Sequence, residues 1–237
     1  MALPKIDAPI HQLELPTTGE TVRFRPFLVK EEKILLMAAE SQESSEMIDA
    51  IKQVINNCML DDRDVDQMAT IDLEYFFIQL RSKSVGDKIK ATARHKNSEC
   101  KTETPIMINL DAVKVETKEG HTNKIDLGNN IGIQLKYPDF KMITKLERIS
   151  SNDVEKFFEL VADSIDNIWE GDQVYLASEQ TRQELVEFLE SLSNEHFIKV
   201  QEFFTGLPTL VYRTKFKCKD CGEEEEVEIR GLSSFFM

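Results

Sequence analysis

The chain is poor in the residues on which most catalytic signatures are built. Its 237 residues include nine glycines, four histidines and four cysteines. No Gly-x-Ser-x-Gly elbow, phosphate-binding glycine loop or His-Glu-x-x-His helix occurs. Those absences disfavour an enzyme, and His11, His121 and His196 read as surface or cap residues without a nucleophile or metal partner. Long apolar runs are missing too: residues 34–39 fall far short of the ~20 needed to cross a bilayer. The N-terminus carries Pro4 and Pro9 rather than a charged-then-apolar leader, so the expectation is a protein that stays in the cytoplasm where it is made. Positive charge is scarce. With 29 basic against 43 acidic residues the net charge is -14, which argues against binding along nucleic-acid phosphates. Four cysteines in a reducing compartment favour thiol or metal roles over disulfides.

What is present is ordinary globular material, 41% apolar and 30% charged, enough for one large or two modest domains. Alternating residues 11–15 and 21–25 around Pro16 and Gly19 predict a hairpin. Helical spacing follows over 30–40, then from Ser44 along Met47, Ile48, Ile51, Val54, Ile55 and Cys58, then over 64–80 with Leu73, Phe76, Phe77 and Leu80. Strands are expected at 88–93, 104–110, 113–115 and 131–137, extending one mainly antiparallel sheet. Pro138-Asp139 then opens a helical half, with helices near 139–149, 152–166, 179–192 and 194–205. A last hairpin pairs 210–216 with 226–230. The fold class is α+β, with helices segregated from antiparallel hairpins. The expected division is 1–137 and 138–237, unless the two halves form one compact domain.

The sharpest motif is Cys218-Lys219-Asp220-Cys221-Gly222 at the tip of that last hairpin. Two cysteines two apart, closed by glycine, make half of a tetrahedral zinc site. A weaker echo stands at His95 to Cys100, also a turn between strands, with Asn97 where a second cysteine would fall. Helix, paired phenylalanines and knuckled hairpin thus occur twice, which is compatible with a duplication. The ligands offered to one structural zinc are Cys218, Cys221, Cys100 and His95, and a filled site would contribute on the order of 10 kcal/mol of apparent folding energy. The alternative is a relic whose thiols are free. A redox role is weaker, because the motif lies in a strand turn and the nearby acids, Asp220 and Glu223 to Glu226, are expected to disfavour thiolate. Cys58 reads as core.

The acidic run 223–226 alternates into a strand and reads as a solvated face. Residues 61–66 imitate a calcium loop without its glycine and closing glutamate, and read as a helix cap. The apolar ends, Leu3 and Ile6 on an extended arm and Leu232, Phe235 and Phe236 at the C-terminus, are candidate partner-docking residues.

Several stretches carry a resemblance. Leu3-Pro4-Lys5-Ile6, residues 14–19, Arg25-Pro26-Phe27-Leu28-Val29-Lys30-Glu31-Glu32-Lys33, residues 131–138 and the Cys218 knuckle ending in Arg230-Gly231-Leu232 together resemble the baseplate hub assembly proteins of T-even-type contractile-tailed bacteriophages. The likeness covers essentially the whole chain. It implies a non-enzymatic protein, structural component or assembly chaperone, whose partners are phage hub and tail proteins rather than membrane, nucleic acid or a small-molecule ligand. It further implies host cytoplasm during assembly, or the virion baseplate. Two other classes stand beside it. A zinc-ribbon nucleic-acid binder would use Arg213, Lys215, Lys217 and Lys219, although the facing acids make that row a cross-strand ion-pair ladder. A zinc metalloenzyme would use an open metal position.

Overall fold

Leu13, Leu15, Val22 and Phe24 all point inward, and their alternation builds the first hairpin, β1 (His11–Glu14) with β2 (Thr21–Phe24). The computed structural model describes residues 7–41, 43–94, 100, 102–148 and 153–235. The hairpin loop is fastened from outside. Asp72 is buried, and its carboxylate accepts hydrogen bonds from the Thr17 amide (2.9 Å) and from the Thr17 hydroxyl.

Residues 25–33 turn the chain from β2 into α1 (Val29–Ser41). Glu31 is fully buried there. Its carboxylate accepts from the Leu28 amide at 2.9 Å, closing the free first turn, and from the Arg25 guanidinium at 3.0 Å. Arg25 also donates to the carbonyls of Pro26 and Asn57. One ion pair therefore ties strand, helix start and the end of α2 (Ser44–Cys58). Along α2 the expected stripe is the buried one: Ile51, Val54, Ile55 and Cys58. Asp64 caps a short 3-10 turn, Val65–Gln67, by accepting from the Asp66 amide, and α3 (Thr70–Ser84) starts later than its spacing predicts. Ile71, Leu73, Phe76, Phe77, Ile78 and Leu80 are all buried, so α3 runs through the core rather than along its surface. The hairpin β3 (Lys88–Arg94) and β4 (Glu103–Asn109) follows, and then β5 (Lys114–Glu116).

The next segment contains the four helices expected of the second half and the strand expected at 131–137, and adds strands at 124–128, 165–170 and 173–176 that the sequence reading does not include. It contains four strands: β6 (Lys124–Gly128), β7 (Ile131–Leu135), β8 (Ile165–Glu170) and β9 (Gln173–Leu176), paired antiparallel in that order. Helices α4 (Phe140–Arg148) and α5 (Val154–Ser164) lie between β7 and β8, while α6 (Arg182–Glu190) and α7 (Asn194–Thr205) follow β9. Ile133, Leu135, Val161, Ile165, Leu189, Val200 and Phe203 form the buried centre. Gly132 lets the Trp169 ring lie against the backbone: a Cβ there would stand 1.9 Å from Cζ2.

The final pair is β10 (Thr209–Lys217) and β11 (Glu224–Arg230). It does not belong with the segment before it. β10 pairs with β5 on its other edge, in the order β11-β10-β5. The chain accordingly forms two compact units, Met1–Glu116 with Thr209–Met237, and Thr117–Pro208. A division after residue 137 would cut between β7 and β8, which are hydrogen-bonded neighbours. Helices and antiparallel hairpins make the class α+β.

Candidate metal centre

The knuckle is built from the register of β10 and β11. Arg213 faces Glu228, Lys215 faces Glu226 and Lys217 faces Glu224, so the pair reaches its tip in step. There the Cys218 amide donates to the Glu223 carbonyl (2.9 Å) and the Gly222 amide to the Cys218 carbonyl (3.0 Å). Gly222 has φ 72°, a left-handed turn position that a residue without Cβ takes freely. The turn aims the amides of Cys221 and Asp220 at the Cys218 sulfur.

The residues leading into β4 meet this tip. Cys100 Sγ lies 3.6 Å from Cys218 Sγ, and Cys221 completes a triangle whose three sulfurs all lie within 4.8 Å of one another. Cys218 is buried, Cys100 half-buried and Cys221 exposed. Two contacts outside the triangle hold the tips together: the Thr102 hydroxyl donates to Asp220, and the Lys219 amide donates to Thr104 Oγ1 at 3.4 Å. Neither threonine was marked by the motif. Thr104 lies on β4 and Thr102 just before its start, and their spacing of two is the signal the sequence offers for them.

At Cys218, though not at Cys221, the thiol moves opposite to the direction expected from the nearby acids. The Cys221 amide, then the Asp220 amide, with help from the Cys221 and Cys100 thiols, holds Cys218 down to about 6 against desolvation. Amide dipoles touching the sulfur outweigh carboxylates that remain solvated. At Cys221 the Glu223 amide pulls downward, but desolvation and the two neighbouring thiols leave it raised. Cys58, by contrast, is fully buried and pushed up to about 11 mainly by burial, as a core cysteine should be.

Other candidate residues separate. His95 and Asn97 lie outside the described residues, as do Leu3, Ile6, Phe236 and Met237, and so does the side chain of Phe235. Leu232 does not present itself to a partner: it is buried in the first unit, and its amide donates to Glu74. His121 is half-buried rather than a surface residue, stacked on Phe203 at 5.2 Å and tilted against Tyr137 at 5.7 Å. Residues 61–66 act as ties and caps, with Asp61 gripping the Arg23 guanidinium at 2.7 Å. The basic row of β10 is answered by acids, as its pattern predicts: Arg213 pairs with Glu228 at 2.6 Å and with Glu116 of β5. Three converging sulfurs can bind a thiophilic cation, or can oxidise pairwise to a disulfide.

The chain belongs to the family described as T4 bacteriophage base plate protein, which matches residues 8–237. Among characterised proteins it is similar to the baseplate hub assembly protein gp26 of Enterobacteria phage T4. Identity is 23% over 229 residues, covering 95% of this chain and 97% of that protein. No solved structure matches the chain.

Proposed function

We propose that the protein is a non-enzymatic assembly protein of a phage baseplate hub, which binds other hub or tail proteins in the host cytoplasm while the baseplate is built. The observation that carries this is the nearly complete mutual coverage with the T4 hub assembly protein, 95% of this chain and 97% of that one. The structure supplies a supporting reason. The family-like segment 25–33 is spent on the buried Arg25–Glu31 tie, a feature that specifies a fold and not a reaction. Docking falls to the N-terminal arm with Leu3 and Ile6 and to Phe235 and Phe236. Leu232 is withdrawn from that set by its burial.

The test is co-expression with the tagged hub and tail proteins of the same phage, followed by capture and mass spectrometry. Capture of defined hub proteins, weakened by deleting Phe236 and Met237 with the thermal midpoint unchanged, is expected. Failure to capture any of them would sink the proposal. Mass spectrometry of purified virions then separates a retained component from a chaperone. Binding of DNA or RNA that weakens as salt rises would favour the ribbon alternative, against which the paired row Arg213 to Lys217 speaks.

A further inference from the structure

We propose that Cys100, Cys218 and Cys221 bind one zinc ion that staples the tips of the β3–β4 and β10–β11 hairpins. Zinc–thiolate bonds of about 2.3 Å in a tetrahedron set sulfur–sulfur edges near 3.8 Å. The Cys100–Cys218 edge is 3.6 Å, and no edge of the triangle exceeds 4.8 Å, so shifts of about 1 Å or less in side chains close the site. The knuckle amides already point at the Cys218 sulfur, an arrangement that supports a thiolate ligand from behind. The tips are also prearranged without metal, through Thr102 to Asp220 and Lys219 to Thr104, so the ion joins a site that is formed and not one it must assemble. Soft sulfur donors select a thiophilic ion over magnesium or calcium, and a closed knuckle of this kind suits zinc. One tetrahedral corner remains for a donor outside the three cysteines.

The role is structural and separate from the assembly proposal. Hub-protein capture tests that proposal without reference to metal, and metal content tests this one without reference to partners. The experiment uses the full chain, purified under reducing conditions without chelator. Its zinc per chain is measured, then cobalt(II) is titrated into the metal-free protein, for wild type and for Cys100→Ser, Cys218→Ser and Cys221→Ser. One zinc per wild-type chain is expected, with sulfur-to-cobalt charge-transfer bands in the near ultraviolet and strong visible bands of tetrahedral cobalt. Both should be lost in Cys100→Ser, the variant that removes the cross-hairpin ligand. Should a serine variant fail to fold, thiol labelling of the wild type keeps the question open to refutation: zinc must slow alkylation of Cys100, Cys218 and Cys221 and leave the buried Cys58 unaffected. The proposal is overturned by no metal uptake in excess zinc, by uptake unchanged in Cys100→Ser, or by labelling indifferent to zinc. Iron or copper in place of zinc, or freshly purified protein lighter by two hydrogens through a disulfide, would overturn it equally.

Discussion

Glu74 of α3 carries a pH dependence that can be worked out in advance. Its carboxyl accepts a hydrogen bond from the Leu232 amide, but burial dominates and pushes it up to about 7 from an ordinary 4.5. The sign follows from linkage. Below the unfolded value both states are protonated and the group costs nothing. As the pH rises the unfolded chain ionises first, and stability is lost until the folded carboxyl has ionised as well. At 1.36 kcal/mol for each tenfold in proton affinity, a folded value of about 7 against 4.5 removes about 3 kcal/mol by about pH 8. Glu74→Gln keeps an acceptor for Leu232 and deletes the charge. Urea unfolding of both proteins from about pH 5 to about pH 8 should show the variant gaining on wild type. The advantage should be under about 1 kcal/mol at the acid end and about 3 kcal/mol at the alkaline end. Asp72, also raised by burial, and Cys218, lowered by its amides, titrate in both proteins and cancel in the difference. A difference that stays flat with pH would refute the assignment of a half-buried, proton-holding Glu74.

Arg25→Ala leaves the buried carboxylate of Glu31 with the Leu28 amide and the exposed Lys30 ammonium at 3.3 Å, and should cost about 3 kcal/mol in urea unfolding, with part recovered by adding Glu31→Gln. A loss below about 1 kcal/mol would mean that the pair is solvated. Gly132→Ala drives a methyl into the Trp169 ring and should destabilise by about 1–3 kcal/mol, with a shift in tryptophan emission; unchanged emission would place the ring elsewhere. Thr181→Ala removes the capping box that Thr181 shares with Glu184 at the start of α6, for an expected loss of about 1 kcal/mol by thermal unfolding.

Features set by local chemistry were legible in the chain. The first hairpin, the buried stripe of α2 and the knuckle all follow from spacing and turn residues. The sheet of the second unit was harder. Residues 165–170 continue straight from a helical stripe, and only tertiary pairing of β8 with β7 ends α5 at Ser164. One signal was available: Asn129 and Asn130 both take positive φ, at 53° and 60°, as the tight turn between β6 and β7 requires. The candidate site divides along the same line. Cys218 and Cys221 share a local motif. Their approach to Cys100 depends on hairpins that sequence distance conceals, and the downward pull on Cys218 comes from backbone amides that no side-chain pattern displays.

The pairing of Thr209 with Glu116 places the two ends of the intervening unit side by side. During synthesis this sets a schedule. When β5 leaves the ribosome its partner β10 is still roughly ninety residues away, about 5–20 s at common elongation rates. The unit Thr117–Pro208 holds all four strands of its own sheet and can fold within that interval. Cys100 and the edge of β5 meanwhile wait without their partners. The earlier-made unit is finished by the later-made strands, so a stall or truncation before Thr209 leaves the folded insert attached to an incomplete first unit.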